Sequence, residues 1–141
     1  MSSIPFPHLN ESTDPAAANQ ALCADLSLLF TLLITGLIGT ISRTGGKPLA
    51  DQYKQQLNRY AEQHGWSVLT GLAELTELRH SVPDVDAKTL LSVYRSYAQQ
   101  AQMLAEQILG EQLLKSTVAA VWNRLPPQMV EVNARYRIIS L

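Results

Sequence analysis

The sequence predicts an all-α fold: a compact bundle of five to six helices with a buried N-terminal helix and a short extended C-terminal tail. Three observations lead there. Apolar residues recur at steps of three and four between proline and glycine stops along most of the chain. They make up 46% of the 141 residues, enough apolar surface to offset the entropy of ordering the chain. Only one stretch, near the C-terminus, alternates as a strand would, and the chain offers no second stretch to pair with it. The length fits one domain, so an irregular segment over residues 1–13 and a single helical domain over 14–141 are expected.

In residues 1–13, Pro5 and Pro7 flank Phe6 and favour an extended conformation. Asp14 is placed to cap a helix whose first position is Pro15. No proline follows until Pro48, and Gly45-Gly46 supply a stop. Within this first helix Gly36 and Gly39 each cost roughly 1 kcal/mol relative to alanine. Pro48 opens a second, amphipathic helix closed by Gly65, with Leu49, Tyr53, Leu57, Tyr60 and Ala61 on its apolar side. A third helix is predicted from about Val68 to His80, ended by Val82-Pro83.

Asp84 or Asp86 is expected to cap the fourth helix. Its apolar residues Ala87, Leu90, Tyr94, Tyr97, Ala101, Leu104 and Ile108 keep heptad spacing. Gly110 breaks it, and Leu114, Val118, Val121 and Leu125 resume out of phase. Pro126-Pro127 ends that segment. The tail fits both periods. A short helix after Pro127 followed by an extended end is preferred, since residues 130–139 as a strand would need another chain.

The formal charge of −1 excludes a strongly basic nucleic-acid binder. The bases gather late: Lys115, Arg124, Arg135 and Arg137 stand against Glu131 alone over residues 115–141, which a solvated rim explains. The first 25 residues hold no base, so no signal peptide is expected. The single cysteine excludes an internal disulfide, and together these suggest a reducing, cytoplasmic setting.

Residues 26–41 carry no charge. Sixteen helical residues reach ~24 Å, short of the ~30 Å hydrocarbon layer of a membrane, so a buried core helix is the expectation and a membrane-associated subunit the alternative. Along this helix Cys23, Ser27, Thr31, Thr35 and Gly39 follow at i+4 steps, and all are small. Small residues at this spacing admit a second backbone closely, and hydroxyls can bond to a partner helix. This row, with Tyr94 and Tyr97 on the fourth helix, supplies the interface or pocket candidates.

Catalytic chemistry is not evident. His8, His64 and His80 have no metal-binding partner at helical spacing, and no nucleophile elbow occurs. Gly45-Gly46-Lys47-Pro48 lacks the spacing of a phosphate-binding loop. No catalytic residue, cofactor or metal is expected. The function that fits is a non-enzymatic helical interaction module, a homodimeric adaptor or regulatory subunit joined through helices one and four to a second copy or another protein. The alternative is a small-molecule sensor whose apolar pocket is lined by the hydroxyls of Ser27, Thr31 and Thr35.

Overall fold

An uncharged helical arm is the axis against which the other helices are laid. The computed structural model describes residues 15–77 and 85–139. The first helix, α1, is Pro15–Gln63, bent at Gly46, where φ of 80° and ψ of −179° are accessible without strain only to glycine. The predicted stop and restart around Gly45-Gly46 and Pro48 therefore take the form of a kink. Residues 15–45 form a first arm and residues 47–63 a second, with Lys47 Nζ 2.8 Å from Asp51 Oδ2 in the opening turn of the second arm.

Five further helices follow: α2 (Trp66–Thr70), α3 (Leu72–Thr76), α4 (Ala87–Leu109), α5 (Glu111–Arg124) and α6 (Pro127–Tyr136). Among the described residues there is no strand. The single third helix predicted over residues 68–80 is instead two short ones that begin at Trp66. Gly71, at φ 67°, separates them, and its N–H closes α2 on the carbonyl of Ser67. The Thr76 hydroxyl then donates to Asn58 Oδ1 at 2.7 Å, fixing α3 on the second arm. The readings made for Phe6, His8, Asp14, His80, Val82-Pro83 and Asp84 lie outside the described residues.

The start of α4 is held differently from the expectation. Asp86 occupies the N-cap position without a side-chain cap bond. The cap comes from α1: Asn19 Oδ1 accepts from Ala87 N at 2.6 Å, and Asn19 Nδ2 donates to the Val85 carbonyl at 3.0 Å. An amide that both accepts and donates satisfies the chain entering the helix as well as its first turn.

The core lies between the first arm and α4. Leu26, Leu29, Phe30, Leu33, Ile34, Leu37 and Ile41 are fully buried on the arm; Leu90, Tyr94, Tyr97, Ala98 and Ala101 face them. Phe30 stacks on Tyr94 at 4.3 Å between ring centroids and meets the edge of Tyr97 at 5.1 Å. The heptad seam read along α4 is buried at its start and drifts: Leu104 and Ile108 are half-buried while Ala98 and Ala105 are enclosed. A straight helix rotates about 20° per heptad away from such a seam. Tyr53 ties the second arm to α4 by donating to the Ala101 carbonyl at 2.7 Å.

Gly110, at φ 88°, breaks α4 from α5. The α5 helix returns antiparallel along the first arm, since Gly36 meets Val121 while Thr40 Oγ1 lies 3.0 Å from Thr117 Oγ1. The tail needs no second chain. After α6, Arg137 turns at φ 56°, and the Asn133 amide clasps the backbone of Ile139, accepting at 2.8 Å and donating at 3.2 Å. Ile138 and Ile139 are thereby buried.

A Cβ at Gly36 would collide with Val121 Cγ2. Gly36→Ala should lower stability in urea denaturation by about 1–2 kcal/mol, overpacking outweighing the gain in helix propensity. The double variant with Val121→Ala should lose less than the two single losses summed.

Candidate functional site

The row of small residues divides along its length. Cys23 and Ser27 are buried, Thr31 and Gly39 half-buried and Thr35 exposed. Cys23 Sγ donates to the Val85 carbonyl at 3.3 Å. Ser27 Oγ lies 2.9 Å from the Tyr94 hydroxyl, a buried pair between α1 and α4. Thr31 donates to the Ser27 carbonyl at 2.7 Å, within its own helix. Geometry explains the division. Each i+4 step rotates about 40° around the helix, so five residues sweep about 160°. The row begins against α4 and ends on another face.

Thr35 and Gly39 open onto a groove between the first arm and α5, with a volume of about 560 Å³. Leu32, Gly36, Val121 and Leu125 supply its apolar lining, with Ala120 on the α5 side. The hydroxyls of Thr35, Thr40, Thr44, Ser116 and Thr117 border it, and so do Arg43 and Arg124. Among the described residues no carboxylate lines it. Two hydroxyls are committed to the helix pairing: Thr117 donates to the Leu113 carbonyl at 2.8 Å and lies against Thr40. Those of Thr35, Thr44 and Ser116 belong to exposed residues.

Arg43, an exposed residue, is anchored at the groove by a hydrogen bond. Its Nη2 donates to Thr40 Oγ1 at 3.0 Å. Its Nη1 lies close to the helix at Gly39, where a Cβ would be 3.4 Å away, an ordinary contact distance. The sequence marks Gly36 only as a cost to the helix and gives Arg43 no role. The available signals were the small pair Gly36 and Thr40, four residues apart, and a base one turn beyond Gly39.

Tyr94 and Tyr97, predicted beside the small row, are core residues. Burial pushes the Tyr94 phenol up to about 12, partly offset by its hydrogen bond with Ser27. Burial also raises Tyr53 and Tyr97. The Tyr97 hydroxyl is buried with no hydrogen-bond partner among the described residues, whereas that of Tyr53 is satisfied.

Among the described residues no group of three or more His, Cys, Asp or Glu side chains is placed to hold a metal ion. His64 stacks on Trp66 at 4.5 Å and contacts the Tyr60 carbonyl through Nδ1 at 2.9 Å. One stretch within Ala17–Gln63 is long and apolar enough to cross a membrane, with mean hydropathy 2.1, and 50% of that stretch is buried inside the fold. No family model, curated protein or solved structure matches the chain.

Two predictions concern the buried phenols. Tyr97→Phe should leave stability unchanged or raise it by up to ~1 kcal/mol, because it removes an unsatisfied polar group. Tyr53→Phe should lower it by about 1 kcal/mol, and chemical denaturation of both variants checks the contrast. The raised phenols also set the alkaline limit. Their contribution is complete below the unfolded-state value near 10. It declines as pH rises, because the unfolded chain releases protons the folded chain retains. For Tyr94 this decline runs to about 12, and each phenol adds a slope of about 1.4 kcal/mol per pH unit. In a spectrophotometric titration Tyr53, Tyr94 and Tyr97 should ionise only as helicity is lost.

Proposed function

We propose that the chain is a non-enzymatic helical binding module that takes up a small molecule with an apolar body in the groove between the first arm of α1 and α5. The observation that carries this is the groove itself: about 560 Å³, with an apolar lining bordered by hydroxyls and guanidinium groups. Ligand sites fall in the range of roughly 300–1,000 Å³ and combine an apolar lining with a few polar groups that orient the ligand. The hydroxyl-lined pocket expected from the sequence is thus proposed at a shifted position. Thr35 contributes to it, whereas Ser27 and Thr31 bond within the fold.

A second reading, the homodimeric adaptor or regulatory subunit, is favoured by the outward face of the same arm. Leu28 is 39% exposed, and Leu32, Thr35 and Gly39 continue from it at heptad spacing without a charge. Such a seam suits a second helix.

Nile red, an uncharged apolar probe, tests the first reading. It should bind the protein at one site with a blue-shifted emission, and Ala120→Trp, which fills the groove from an exposed position on α5, should weaken that binding at least tenfold. Absence of binding to the unmodified protein would overturn the small-molecule reading. Light scattering tests the second: a monomer at every accessible concentration removes the homodimer.

A further inference from the structure

We propose that the ligand is a single-chain amphiphile with an anionic head, carboxylate or phosphate, seated so that the head meets Arg43 and the chain runs toward Leu32 and Leu125. This rests on the binding-module reading above and adds to it the charge and direction of the ligand.

The sign of the charge follows from what surrounds the groove. Arg43 and Arg124 border it, and among the described residues no carboxylate does. The acidic groups nearest in sequence to Arg43 and to the start of α5 are engaged elsewhere: Asp51 takes Lys47 and Lys54, and Glu111 takes Lys115 at 2.9 Å. Neither groove arginine has a carboxylate partner among the described residues. With α5 antiparallel to the arm, Arg43 stands at one end of the groove and Arg124, beside Leu125, at the other, so the border is positive at both ends and an anion is the charge that suits it.

The head is placed at Arg43 because that guanidinium is already positioned. Thr40, itself buried and lying against Thr117, accepts one of its N–H bonds, and the guanidinium lies against the helix beside Gly39. The remaining donors of the fork suit a two-oxygen contact with carboxylate or phosphate. A side chain fixed in advance loses less rotamer entropy on binding. Thr44, exposed on the next turn, adds a hydroxyl on the same border of the groove.

The direction of the chain follows from the lining. Moving from Arg43 toward the N-terminus of the arm, the groove passes Gly39, Gly36 and Leu32, with Val121 and Leu125 opposite. Eleven residues of helix span roughly 16 Å, an apolar track long enough for a medium-length alkyl chain. A head group alone would leave this track empty, and an uncharged chain would leave Arg43 without its counter-ion.

Displacement of Nile red by dodecanoate, dodecyl phosphate, dodecanol and acetate, each below its micelle concentration, tests the proposal on the full chain. Dodecanoate or dodecyl phosphate should compete at least tenfold more strongly than dodecanol, and acetate should not compete. The preference between the two anionic heads tells carboxylate from phosphate ligands. Arg43→Gln should abolish the advantage of the anionic heads over dodecanol, read as the ratio of the two competitors on the same variant, and Arg124→Gln should change dodecanoate affinity less than threefold. Equal competition by dodecanol, or an unchanged preference in Arg43→Gln, overturns the anionic head. A larger loss in Arg124→Gln overturns its placement. In each of these outcomes Nile red binding persists, so the groove survives as a site; only failure of Nile red itself removes the parent reading.

Discussion

The structure is governed by the need to keep an uncharged helical arm away from water. Residues 26–41 offer no charged side chain to solvent on any face. Each large aliphatic or aromatic residue moved from water into the interior contributes about 1.5–3 kcal/mol, and this arm buries Leu26, Leu29, Phe30, Leu33, Ile34, Leu37 and Ile41 completely. One neighbour cannot cover such a circumference. The α4 helix takes one side with its tyrosines and alanines, and α5 takes another. Two polar pairs span these contacts, Ser27 with Tyr94 and Thr40 with Thr117, while the Tyr97 hydroxyl has no partner among the described residues. Burial without those bonds would cost about 1–3 kcal/mol for each group.

The groove is a consequence of how α5 meets the arm. Gly36 against Val121 brings the two helices close, and Thr40 against Thr117 repeats the contact one turn along. Beside that contact the facing residues are small: Thr35 and Gly39 on the arm, Ser116 and Ala120 on α5. Side chains of that size do not fill the space between two helices, whose ridges interlock only where residues are large enough. The same small residues that permit close approach on one side thus leave a channel on the other. Arg43 occupies the border with its guanidinium bonded to Thr40 and lying beside Gly39.

The helix inventory was legible because glycine and proline act locally. Gly46, Gly110 and Pro126-Pro127 end or bend helices in the structure at the positions where the chain places them. The split at Gly71 was not legible because a single glycine inside a helical pattern is tolerated, and nothing in residue type marks this one as left-handed. The cap on α4 was out of reach for another reason. Asn19 and Ala87 are 68 residues apart, and only the packing of α1 against α4 brings them together. The candidate row was half legible. Its residue types were right for a close helix contact, but an i+4 line drifts around a helix, so Cys23 and Ser27 reach α4 while Thr35 and Gly39 reach the groove. The contact that fixes α5 sits at Gly36 and Thr40, off that line.

The two binding readings compete for the same atoms. Leu32, Thr35 and Gly39 line the groove and also belong to the outward seam of the arm. A ligand chain lying across them covers the surface a second helix would use, and a second helix closes the groove to a ligand. Whichever partner binds more tightly therefore weakens the other, and by linkage the weakening is reciprocal and equal in free energy. A module built this way would couple ligand occupancy to self-association without any conformational change, because the coupling resides in shared surface and not in a second folded state. Leu28 is the residue that separates the two: it stands on the seam, 39% exposed, but is not among the groove's lining residues.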